Sequence, residues 1–460
     1  LSEGIVDRAM FHADNAYYYP AARINGYRCK TNTVSNTAFR GFGGPKGMIA
    51  AESMMDDIAR KVGRDPLDVR LDNLYAPGRD ETPYGQKIEQ HMLRDMMEKL
   101  AEDAGYRDRR NAISAFNKEN ADVRKGLALT PIKFGISFTS THLNQAGALL
   151  HIYTDGSVHI NHGGTEMGQG LYTKIAQVVA STLGVSYERV MVSSTRTDKV
   201  PNTSPTAASA GTDLNGMAAQ NAAQKIKRRL IEFVASDSGV SSNEVTIEND
   251  KVMVRGDARS FDDVVKSAYM NRIQLSATGF YKTPKINFDK ETGKGHPFFY
   301  FANGAALSEV IVDGLTGEYR VSQVDILHDV GNSINPAIDI GQIEGGFVQG
   351  MGWLTTEELL WDDTGRLISN SPANYKIPTA YDVPEKFSVQ LYHEPNQEKT
   401  IYQSKAVGEP PLMLALSVWC ALRDAAASFS DYQINPPMNA PATPEEVYYA
   451  INAAKEYSTK

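Results

Sequence analysis

The sequence predicts an α+β fold built from two strand–glycine-loop–helix units that resemble each other. Apolar residues alternate on both sides of Asp155-Gly156, a dipeptide typical of a tight hairpin turn. The second strand runs into a glycine-rich segment, residues 163–170, and then into an apolar helical pattern that reaches Leu183. The same succession returns in looser form around Thr316-Gly317 and the glycine-containing residues 341–352. We therefore expect a pseudo-duplicated architecture of packed strands and helices.

The first 120 residues are predicted to form a unit separate from the rest. Pro45 follows a glycine-rich stretch and is well placed as the first residue of a helix that Gly63 ends. A second amphipathic helix is predicted over residues 87–102. The polar stretch 107–124 is typical of a linker, so we place a domain boundary near residue 120. Residues 1–120 and 121–460 are then the two domains.

The later helices are predicted from apolar runs and capping residues. A long helix is expected over residues 213–233, and Pro444 is well placed as the first residue of the last helix. Residues 412–422 form an apolar run, which predicts a buried helix. We expect Pro410 to keep Glu409, just before this run, out of the helical region of backbone space.

Composition narrows the class of protein. The chain has 460 residues, 42% of them hydrophobic and 22% charged, which is typical of a soluble globular protein. The net charge of −8 argues against a nucleic-acid groove, and no apolar run is expected to reach membrane-spanning length. Cys29 and Cys420 are too few for a disulfide framework or an iron–sulfur cluster. Because the chain opens Leu-Ser-Glu, we expect a processed product or a fragment.

Four segments are rich in glycine or other small residues, namely 37–44, 163–170, 206–211 and 341–352. Small residues before a helix let backbone N–H groups approach a ligand, and helix N-termini attract anions. Tight loop packing would explain any one segment, but four together favour a large phosphorylated cofactor. None matches a dinucleotide or Walker motif, so a flavin or nicotinamide site is not expected here. The histidines show no metal-ligand spacing, and no G-x-S-x-G nucleophile elbow occurs.

Several polar and aromatic side chains have two possible roles each. Glu409 lies between Gly408 and two prolines, so it is either an acid that a helix N-terminus favours or a rigidly held general base. Gln169 and Gln342 either hydrogen-bond their own loops or present donors and acceptors to an oxo-bearing heterocycle. The aromatic candidates, which either belong to the core or stack on a flat substrate, are Phe39, Phe42, Phe134 and Phe138.

Five motifs together resemble the xanthine dehydrogenase family of molybdenum hydroxylases. They correspond to the C-terminal part of the family's molybdopterin-binding region and extend, in the family's order, over nearly the whole chain. Residues 1–120 would then be the end of its first domain and residues 121–460 its second. The motifs are Thr37-Ala38-Phe39-Arg40-Gly41-Phe42-Gly43-Gly44-Pro45, Lys133-Phe134-Gly135-Ile136-Ser137-Phe138-Thr139, Gly163-Gly164-Thr165-Glu166-Met167-Gly168-Gln169-Gly170, Pro205-Thr206-Ala207-Ala208-Ser209 and Lys405-Ala406-Val407-Gly408-Glu409-Pro410-Pro411.

The resemblance implies roles for five residues in substrate chemistry. Glu409 matches the base that deprotonates a hydroxyl group on molybdenum, whose oxygen then attacks an electron-poor ring carbon. Arg8 matches the arginine that stabilises negative charge on a purine, as a catalytic and a substrate-binding residue. Phe42 and Phe138 match the aromatic pair that sandwiches the purine, and Thr139 matches a neighbour that hydrogen-bonds to the substrate.

The resemblance also implies how a molybdenum–molybdopterin cofactor is held. The metal carries oxo and sulfido ligands and is bound by the dithiolene of the pterin, while Arg40, Ala208 and Gln342 match positions that line it. The part of the cage that cradles the pterin and its phosphate matches Met167, Gly168, Gln169 and Ser209. The full set of matching cofactor residues is Phe39, Arg40, Gly41, Met167, Gly168, Gln169, Ala207, Ala208, Ser209 and Gln342.

Other parts of the family's enzymes are missing from this sequence. In the family, a preceding stretch carries another glutamine-bearing cofactor loop and a second substrate-binding glutamate, and further segments hold two [2Fe-2S] clusters and FAD. We therefore expect this chain to be one piece of a split or cleaved enzyme that acts only with those segments. The assembled unit is expected to be a dimer in the cytoplasm, without nucleic acid or membrane as partners.

The activity that the resemblance implies is hydroxylation of hypoxanthine to xanthine and of xanthine to urate, with oxygen from water. A relative that oxidises aldehydes or other N-heterocycles stays open, although Arg8 favours a purine because an aldehyde needs no such cation. A non-catalytic cofactor-assembly subunit is the third alternative, and the presence of both Glu409 and Arg8 counts against it. The electron acceptor would bind elsewhere.

Overall fold

Eleven α-helices and four β-sheets, two of them four-stranded, form the regular structure of residues 1–458, the part of the chain that the computed structural model describes. In chain order the helices are α1 Ser2–Phe11, α2 Gly44–Lys61, α3 Pro66–Asn73, α4 Leu93–Asp103, α5 Tyr106–Glu119, α6 Leu171–Leu183, α7 Gly211–Ser238, α8 Phe261–Met270, α9 Pro336–Thr355, α10 Leu416–Ala427 and α11 Pro444–Ser458. The strands are β1 Val123–Ile136, β2 Gln145–Ile152, β3 Val158–His162, β4 Val190–Val192, β5 Val245–Glu248, β6 Lys251–Val254, β7 Asp257–Ser260, β8 Ser276–Lys282, β9 Asn287–Asp289, β10 Lys294–His296, β11 Tyr300–Asp313, β12 Tyr319–Asp329 and β13 Lys386–Tyr392.

The two larger sheets have the same pattern of strand directions. The first sheet has the order β1-β11-β12-β13, and only β12 and β13 are parallel neighbours. The second has the order β8-β2-β3-β4, and only β3 and β4 are parallel. Each parallel pair is connected through a helix, α9 in the first sheet and α6 in the second. The α+β class is thus confirmed, while an internal duplication stays a prediction.

The predicted hairpins and several predicted helices are confirmed. Leu150 pairs with Ile160 across the β2–β3 hairpin, which turns at Asp155-Gly156. β11 and β12 meet around Thr316-Gly317. The helices α2, α6, α7 and α11 lie in the segments for which they were predicted, from apolar periodicity, from a proline at the first helical position or from a glycine that ends the helix. These signals are local, which is why they could be recognised without the tertiary structure.

The first sheet is covered by helices on both faces. Ile132 and Ala306 lie on one face and pack with residues of α9, α10 and α11. Leu129 and Leu307 lie on the other face and pack with residues of α2, α3, α4 and α5. The second sheet packs with α6, α7, α8 and the small sheet β5-β6-β7 to form its own core. Because helices cover both faces of this sheet, β1 and β11 are buried along most of their length.

Two helices approach the sheets so closely that only glycine fits at the contact. A Cβ at Gly126 of β1 would lie 2.0 Å from the carbonyl oxygen of Ala421 in α10. A Cβ at Gly279 of β8 would lie 1.8 Å from the carbonyl oxygen of Ala218 in α7. Both separations are far below van der Waals contact, so any side chain would push the helix off its sheet. The two glycines therefore set the position of α10 and α7.

One helical segment is long and apolar enough to cross a membrane, contrary to the expectation from the sequence. It is Pro410–Ser430, and its most apolar stretch is entirely buried inside the protein. It includes α10, all of whose residues are buried against the first sheet and the neighbouring helices. The physical reason for its composition is its central place in the core, where every face of the helix meets protein.

The amphipathic helix predicted over residues 87–102 is shorter in the structure. It was expected over residues 87–102, but α4 begins only at Leu93. The preceding residues are extended because Glu81 and Lys87 form an antiparallel bridge. The N–H group of Thr82 also donates to the carbonyl oxygen of Gln86 at 2.9 Å. These backbone bonds compete with helix formation, although the apolar period continues through the segment.

The prediction of a linker over residues 107–124 is wrong. Most of this stretch belongs to α5, whose buried side includes Tyr106 and Ile113. Its charges are paired, for example Arg109 with Glu309 of β11 at 3.0 Å. A helix whose polar side pairs with other elements has the composition of a linker but the packing of a core element. No observation tests the domain boundary near residue 120, which stays a prediction.

The glycine-rich segment 341–352 forms the middle of α9 and is not a loop. A Cβ at Gly346 would lie 2.6 Å from the Cβ of Pro411, and one at Gly350 would lie 2.0 Å from the carbonyl oxygen of Leu412. These glycines let α9 approach the turn that follows Glu409. These glycines allow close packing of the helix. The sequence alone does not distinguish glycines that serve packing from glycines that make room for a ligand.

Glu409 adopts helical backbone angles, contrary to the expectation from the proline after it. Its φ and ψ are −84° and −42°, and it precedes a 3₁₀ turn, Pro410–Ala415, that leads into α10. A proline at the first helical position needs no hydrogen bond from its nitrogen, so it is tolerated there. Tertiary packing of Pro410 and Pro411, both buried, outweighs the local steric preference.

We predict that the buried cation Arg70 is essential for stability. It lies 2.7 Å from both Glu52 and Asp56, and all three side chains are almost completely buried. Arg70→Met should leave two buried carboxylates without their cation and lower the free energy of unfolding by about 3–5 kcal/mol. Arg64→Met is the control, because its partner Asp72 is half exposed. That control should change stability by less than about 1 kcal/mol in the same denaturation experiment. Similar small effects of both substitutions would contradict the prediction.

Candidate active site

A cavity of about 1010 Å³ collects residues from distant stretches of the chain. The predicted site residues that line it are Arg8, Phe39, Arg40, Phe42, Phe138, Thr139, Met167, Gly168, Gln169, Ala207, Ala208, Ser209, Gln342 and Glu409. Gly41 does not line the cavity; it forms the turn behind Arg40 with a φ of +90°. The volume is at the upper limit of the roughly 300–1,000 Å³ typical of small-ligand pockets. It can therefore hold a cofactor together with a substrate.

Glu409 is held at the edge of the cavity by Ser209. The hydroxyl of Ser209 donates to Oε2 of Glu409 at 2.9 Å and accepts from the backbone N–H of Glu409 at 2.7 Å. Oε1 has no hydrogen-bond partner among residues 1–458. The side chain is only 13% exposed, so its orientation is set by protein contacts. The arrangement leaves one carboxylate oxygen able to accept a proton from a bound molecule.

Arg8 is a rigid buried cation beside this carboxylate. Its Nη1 and Nη2 atoms donate to the carbonyl oxygens of Ser137 at 2.9 Å and Gly135 at 2.6 Å, at the end of β1. Its guanidinium lies 4.6 Å from the ring centroid of Phe134 and 3.7 Å from Oε2 of Glu409. Burial lowers the pKa of Arg8, and the charge of Glu409 opposes this shift. The guanidinium is thus preorganised to stabilise negative charge in the cavity.

Arg40 connects three elements around the turn that contains Glu409. Its Nε donates to the carbonyl oxygen of Gly408 at 2.6 Å, and its Nη1 donates to Oε1 of Gln349 on α9 at 3.1 Å. A Cβ at Gly346 would lie 2.9 Å from Nη2 of Arg40, so that glycine makes room for the guanidinium. Burial lowers the pKa of Arg40. Arg40 therefore fixes the loop before α2 against α9 and the Glu409 turn.

The predicted aromatic residues divide between the cavity and the core. Phe39, Phe42 and Phe138 line the cavity, whereas Phe134 is completely buried in the core beneath it. Asn144 holds Phe138 with two bonds, accepting from its N–H group at 2.8 Å and donating to its carbonyl oxygen at 2.9 Å. With its backbone held in this way, the ring of Phe138 can stack on a flat ligand.

The glycine-rich loop before α6 is organised by its own carboxylate. Glu166 accepts from the backbone N–H groups of Gly168 at 2.9 Å, Gly170 at 3.0 Å and Tyr172 at 3.0 Å. Burial alone would raise the pKa of Glu166, but these donors lower it below its ordinary value. Gln169 also bonds within the loop, since its amide donates to the carbonyl oxygen of Thr165 at 2.9 Å. The loop therefore has its shape without a ligand.

Several charged residues of the cavity were not found from the sequence. Lys174 of α6 pairs with Asp339 of α9, and both line the cavity. Asp213 also lines it and accepts from the hydroxyl of Tyr300 at 2.7 Å, while burial raises the pKa of Asp213 to about 7. No motif marks them, because each belongs to an ordinary helical sequence and gains its meaning only from the packing of α6, α7 and α9. Lys405 belongs to one of the five motifs, but its ammonium group forms an ion pair at 2.6 Å with Asp329, which lies outside that motif.

Comparison with known families agrees with this geometry. A family model described as a molybdopterin cofactor-binding domain matches residues 99–384, and a second model with the same description matches residues 1–74. The chain belongs to the molybdopterin cofactor-binding domain family. The resemblance inferred from the five motifs is confirmed, and so is the molybdopterin cofactor that it implied.

Relatives with high sequence identity are named xanthine dehydrogenases. The xanthine dehydrogenase/oxidase of Gallus gallus is 49% identical over 450 residues, which cover 97% of this chain and 32% of that protein. The xanthine dehydrogenase of Oryza sativa subsp. japonica is 45% identical over 460 residues, which cover 98% of this chain and 32% of that protein. This molybdopterin-binding chain thus spans about a third of the length of these relatives.

Solved structures share the fold of this molybdopterin-binding chain at low identity. Quinoline 2-oxidoreductase from Pseudomonas putida 86 superposes with a TM-score of 0.81 and 24% identity, covering 98% of this chain and 57% of that one. The aldehyde oxidoreductase from Desulfovibrio desulfuricans gives a TM-score of 0.79 and 23% identity, covering 98% of this chain and 45% of that one. These similarities establish the architecture.

The residues around the cavity fit a molybdopterin cofactor. The side-chain amide of Gln342, on α9, has no hydrogen-bond partner within residues 1–458 and is free to bind a ligand. A Cβ at Gly168 would meet no atom within 4 Å, so the loop leaves open space beside its backbone. Lys174 and Asp213 add a buried donor and acceptor. A pterin, which has donors and acceptors around its rings, matches such a lining.

We predict that Glu166 maintains the cofactor loop. Glu166→Gln removes the charge and replaces one accepting oxygen by an NH₂ group, so at least one of the backbone N–H groups loses its partner. A hydrogen bond to a charged group is worth about 1.5–3 kcal/mol, which corresponds to about 10–100-fold weaker cofactor retention. Molybdenum and pterin content of the enzyme that contains this chain would measure it. Glu188→Gln, at an exposed position, is the matched control and should leave the cofactor content unchanged. Full cofactor content in Glu166→Gln would disprove the role.

Proposed function

We propose that this chain carries the general base of a molybdenum hydroxylase that converts hypoxanthine to xanthine and xanthine to urate, with oxygen derived from water. The observation that carries the proposal is the geometry of Glu409, whose Oε2 is held by Ser209 while Oε1 is free. The 49% identity to the xanthine dehydrogenase/oxidase of Gallus gallus supports the same substrate class.

Each part of the cavity has a task in this proposal. When bound, the molybdenum cofactor supplies the oxidising centre and the oxygen atom that enters the substrate. Glu409 takes a proton at Oε1 and, being mostly buried, does so in a region of low dielectric, where electrostatic interactions are strong. Phe42 and Phe138 hold the flat ring by stacking, and Thr139 hydrogen-bonds to its edge.

Arg8 favours a purine as the substrate. Attack on a ring carbon moves electrons into the purine, and the charge collects on oxygen or nitrogen at the far end of the ring. A buried guanidinium that is held in the wall of the cavity stabilises that charge in the transition state. An aldehyde develops its charge on its only oxygen, next to the reacting carbon, and gains nothing from a more distant cation.

We further propose that the chain acts together with the segments that its relatives carry in addition. The chain covers 32% of the length of the Gallus gallus relative, which leaves room for partner segments with [2Fe-2S] clusters and FAD. Such segments would complete the cofactor cage and conduct electrons to an acceptor. The assembled enzyme is proposed to be a cytoplasmic dimer.

We predict that Glu409→Gln removes activity without removing the cofactor. Glutamine keeps the shape of the side chain and a hydrogen bond to Ser209 but has no basic oxygen. Turnover of xanthine should fall by about 10²–10⁴-fold, the range typical of general base catalysis. Molybdenum content, measured on the same preparation, should stay at the wild-type level. Turnover within a few-fold of wild type at full molybdenum content would remove Glu409 from this role.

We predict that Arg8→Met changes substrate preference. The substitution keeps much of the buried stem but deletes the charge, so xanthine oxidation should fall by about 10²–10³-fold. A small aromatic aldehyde should be oxidised as well as before or better, which a side-by-side measurement of kcat/KM would detect. Because Arg8 also donates to two carbonyl oxygens of β1 and its neighbour Ser137, only preparations with wild-type molybdenum content are compared. Equal losses for both substrates would show that Arg8 is structural and would weaken the case for a purine.

A further inference from the structure

The hydroxyl of Ser209 forms two hydrogen bonds with Glu409. It donates to Oε2 of the carboxylate at 2.9 Å and accepts from the N–H group of the same residue at 2.7 Å. A serine hydroxyl has only one hydrogen to donate. That hydrogen is already engaged by Glu409, so it is not available to a phosphate or a pterin in this arrangement.

The backbone at Ala208 and Ser209 has an unusual conformation, which places this hydroxyl beside the carboxylate of Glu409. Ala208 and Ser209 have φ values of +54° and +55°, in the left-handed region that residues other than glycine rarely adopt. Such conformations persist only where the surrounding structure enforces them, and they are common at functional sites. The turn is held by its neighbours: the N–H group of Thr165 donates to the hydroxyl of Thr206 at 2.8 Å, and Ala208 itself is buried.

Gly408, the residue before Glu409, also lies close to Ser209. A Cβ at Gly408 would lie 3.0 Å from the hydroxyl oxygen of Ser209, so a side chain there would press against it. Arg40 holds the carbonyl oxygen of Gly408 at 2.6 Å and so prevents the turn from moving away. Two loops about 200 residues apart in sequence are therefore fixed against each other at the carboxylate.

We propose that Ser209 is a positioning residue for Glu409. By occupying Oε2 and the backbone N–H group, the hydroxyl sets the rotation of the carboxylate and leaves Oε1 as the atom that accepts the proton. This assignment rests on the proposed function and differs from the cofactor-cradling role that the family resemblance implied for Ser209. Under that other role, loss of the hydroxyl would release cofactor; under the positioning role, it would leave the cofactor in place and slow the reaction.

The test compares Ser209→Gly with Ser209→Ala in the complete enzyme. Both remove the hydroxyl, but glycine accepts a positive φ without strain while alanine does not, so the pair separates loss of the hydroxyl from change of the backbone. We expect kcat for xanthine to fall by about 10–100-fold in both variants, because small misplacements of a reacting group have effects of this size. KM should stay within about threefold of wild type, and molybdenum content should be unchanged.

A crystal structure of Ser209→Gly provides a readout that does not depend on turnover. It should show the Glu409 carboxylate rotated or in two conformers, with the turn itself in place. Ser417→Ala is the matched control, because it removes another buried hydroxyl, bonded to Ser308 in the core, and should leave kcat unchanged.

Three results would overturn the positioning role: a Glu409 carboxylate that keeps its orientation in the crystal, a kcat within twofold of wild type in both variants, or a loss of molybdenum in both. If the wild-type enzyme oxidises no purine, the proposed function fails instead, and the crystal structure still decides the role of Ser209.

Discussion

The burial of the helical segment that follows Glu409 is the constraint on which the rest of the structure depends. Every residue of the 3₁₀ turn Pro410–Ala415 and of α10 is buried, and Gly126 lets the helix backbone approach β1 without an intervening side chain. α9 closes on the same turn through Gly350. A close-packed interior has little freedom to adjust. Because Glu409 immediately precedes this buried segment, its backbone position is fixed by the packing. A carboxylate that lines the cavity is thereby anchored to the core of the protein.

Charge in the cavity is arranged by partners that belong to different elements. Arg8 is held by carbonyl oxygens at the end of β1, and Arg40 is held by α9 and the Glu409 turn. Lys174 is held by Asp339. Arg8 and Lys174 are buried and Arg40 is partly buried, and burial makes an unpaired charge costly, so the positions of these charges are strongly specified. The result is a cavity whose electrostatic field exists before any ligand enters, which is the condition for stabilising a developing charge without reorganisation.

The two small-residue loops of the cavity reach their shapes by different means. The loop before α6 wraps its N–H groups around Glu166, so an internal carboxylate occupies donors that a ligand phosphate would otherwise attract. The loop before α7 instead adopts a left-handed backbone at Ala208 and Ser209 and is stabilised by its contact with Glu409. Small residues in these loops therefore serve internal bonding as well as ligand approach. This is why a glycine-rich segment alone does not reveal which backbone groups remain free.

Local patterns in the sequence were sufficient for the hairpins and for α2, α6, α7 and α11, and the five motifs contain many of the residues that line the cavity. Turn dipeptides, caps and apolar periods act over a few residues and can be recognised without knowing the neighbours. The tertiary structure alone decided that α5 is a helix with paired charges, that the glycines of α9 serve packing, and that Asp213 belongs to the cavity. It also decided that Ser209 contacts Glu409, across 200 positions of sequence. Such contacts depend on how the two sheets and their helices close on each other, and no local pattern contains that information.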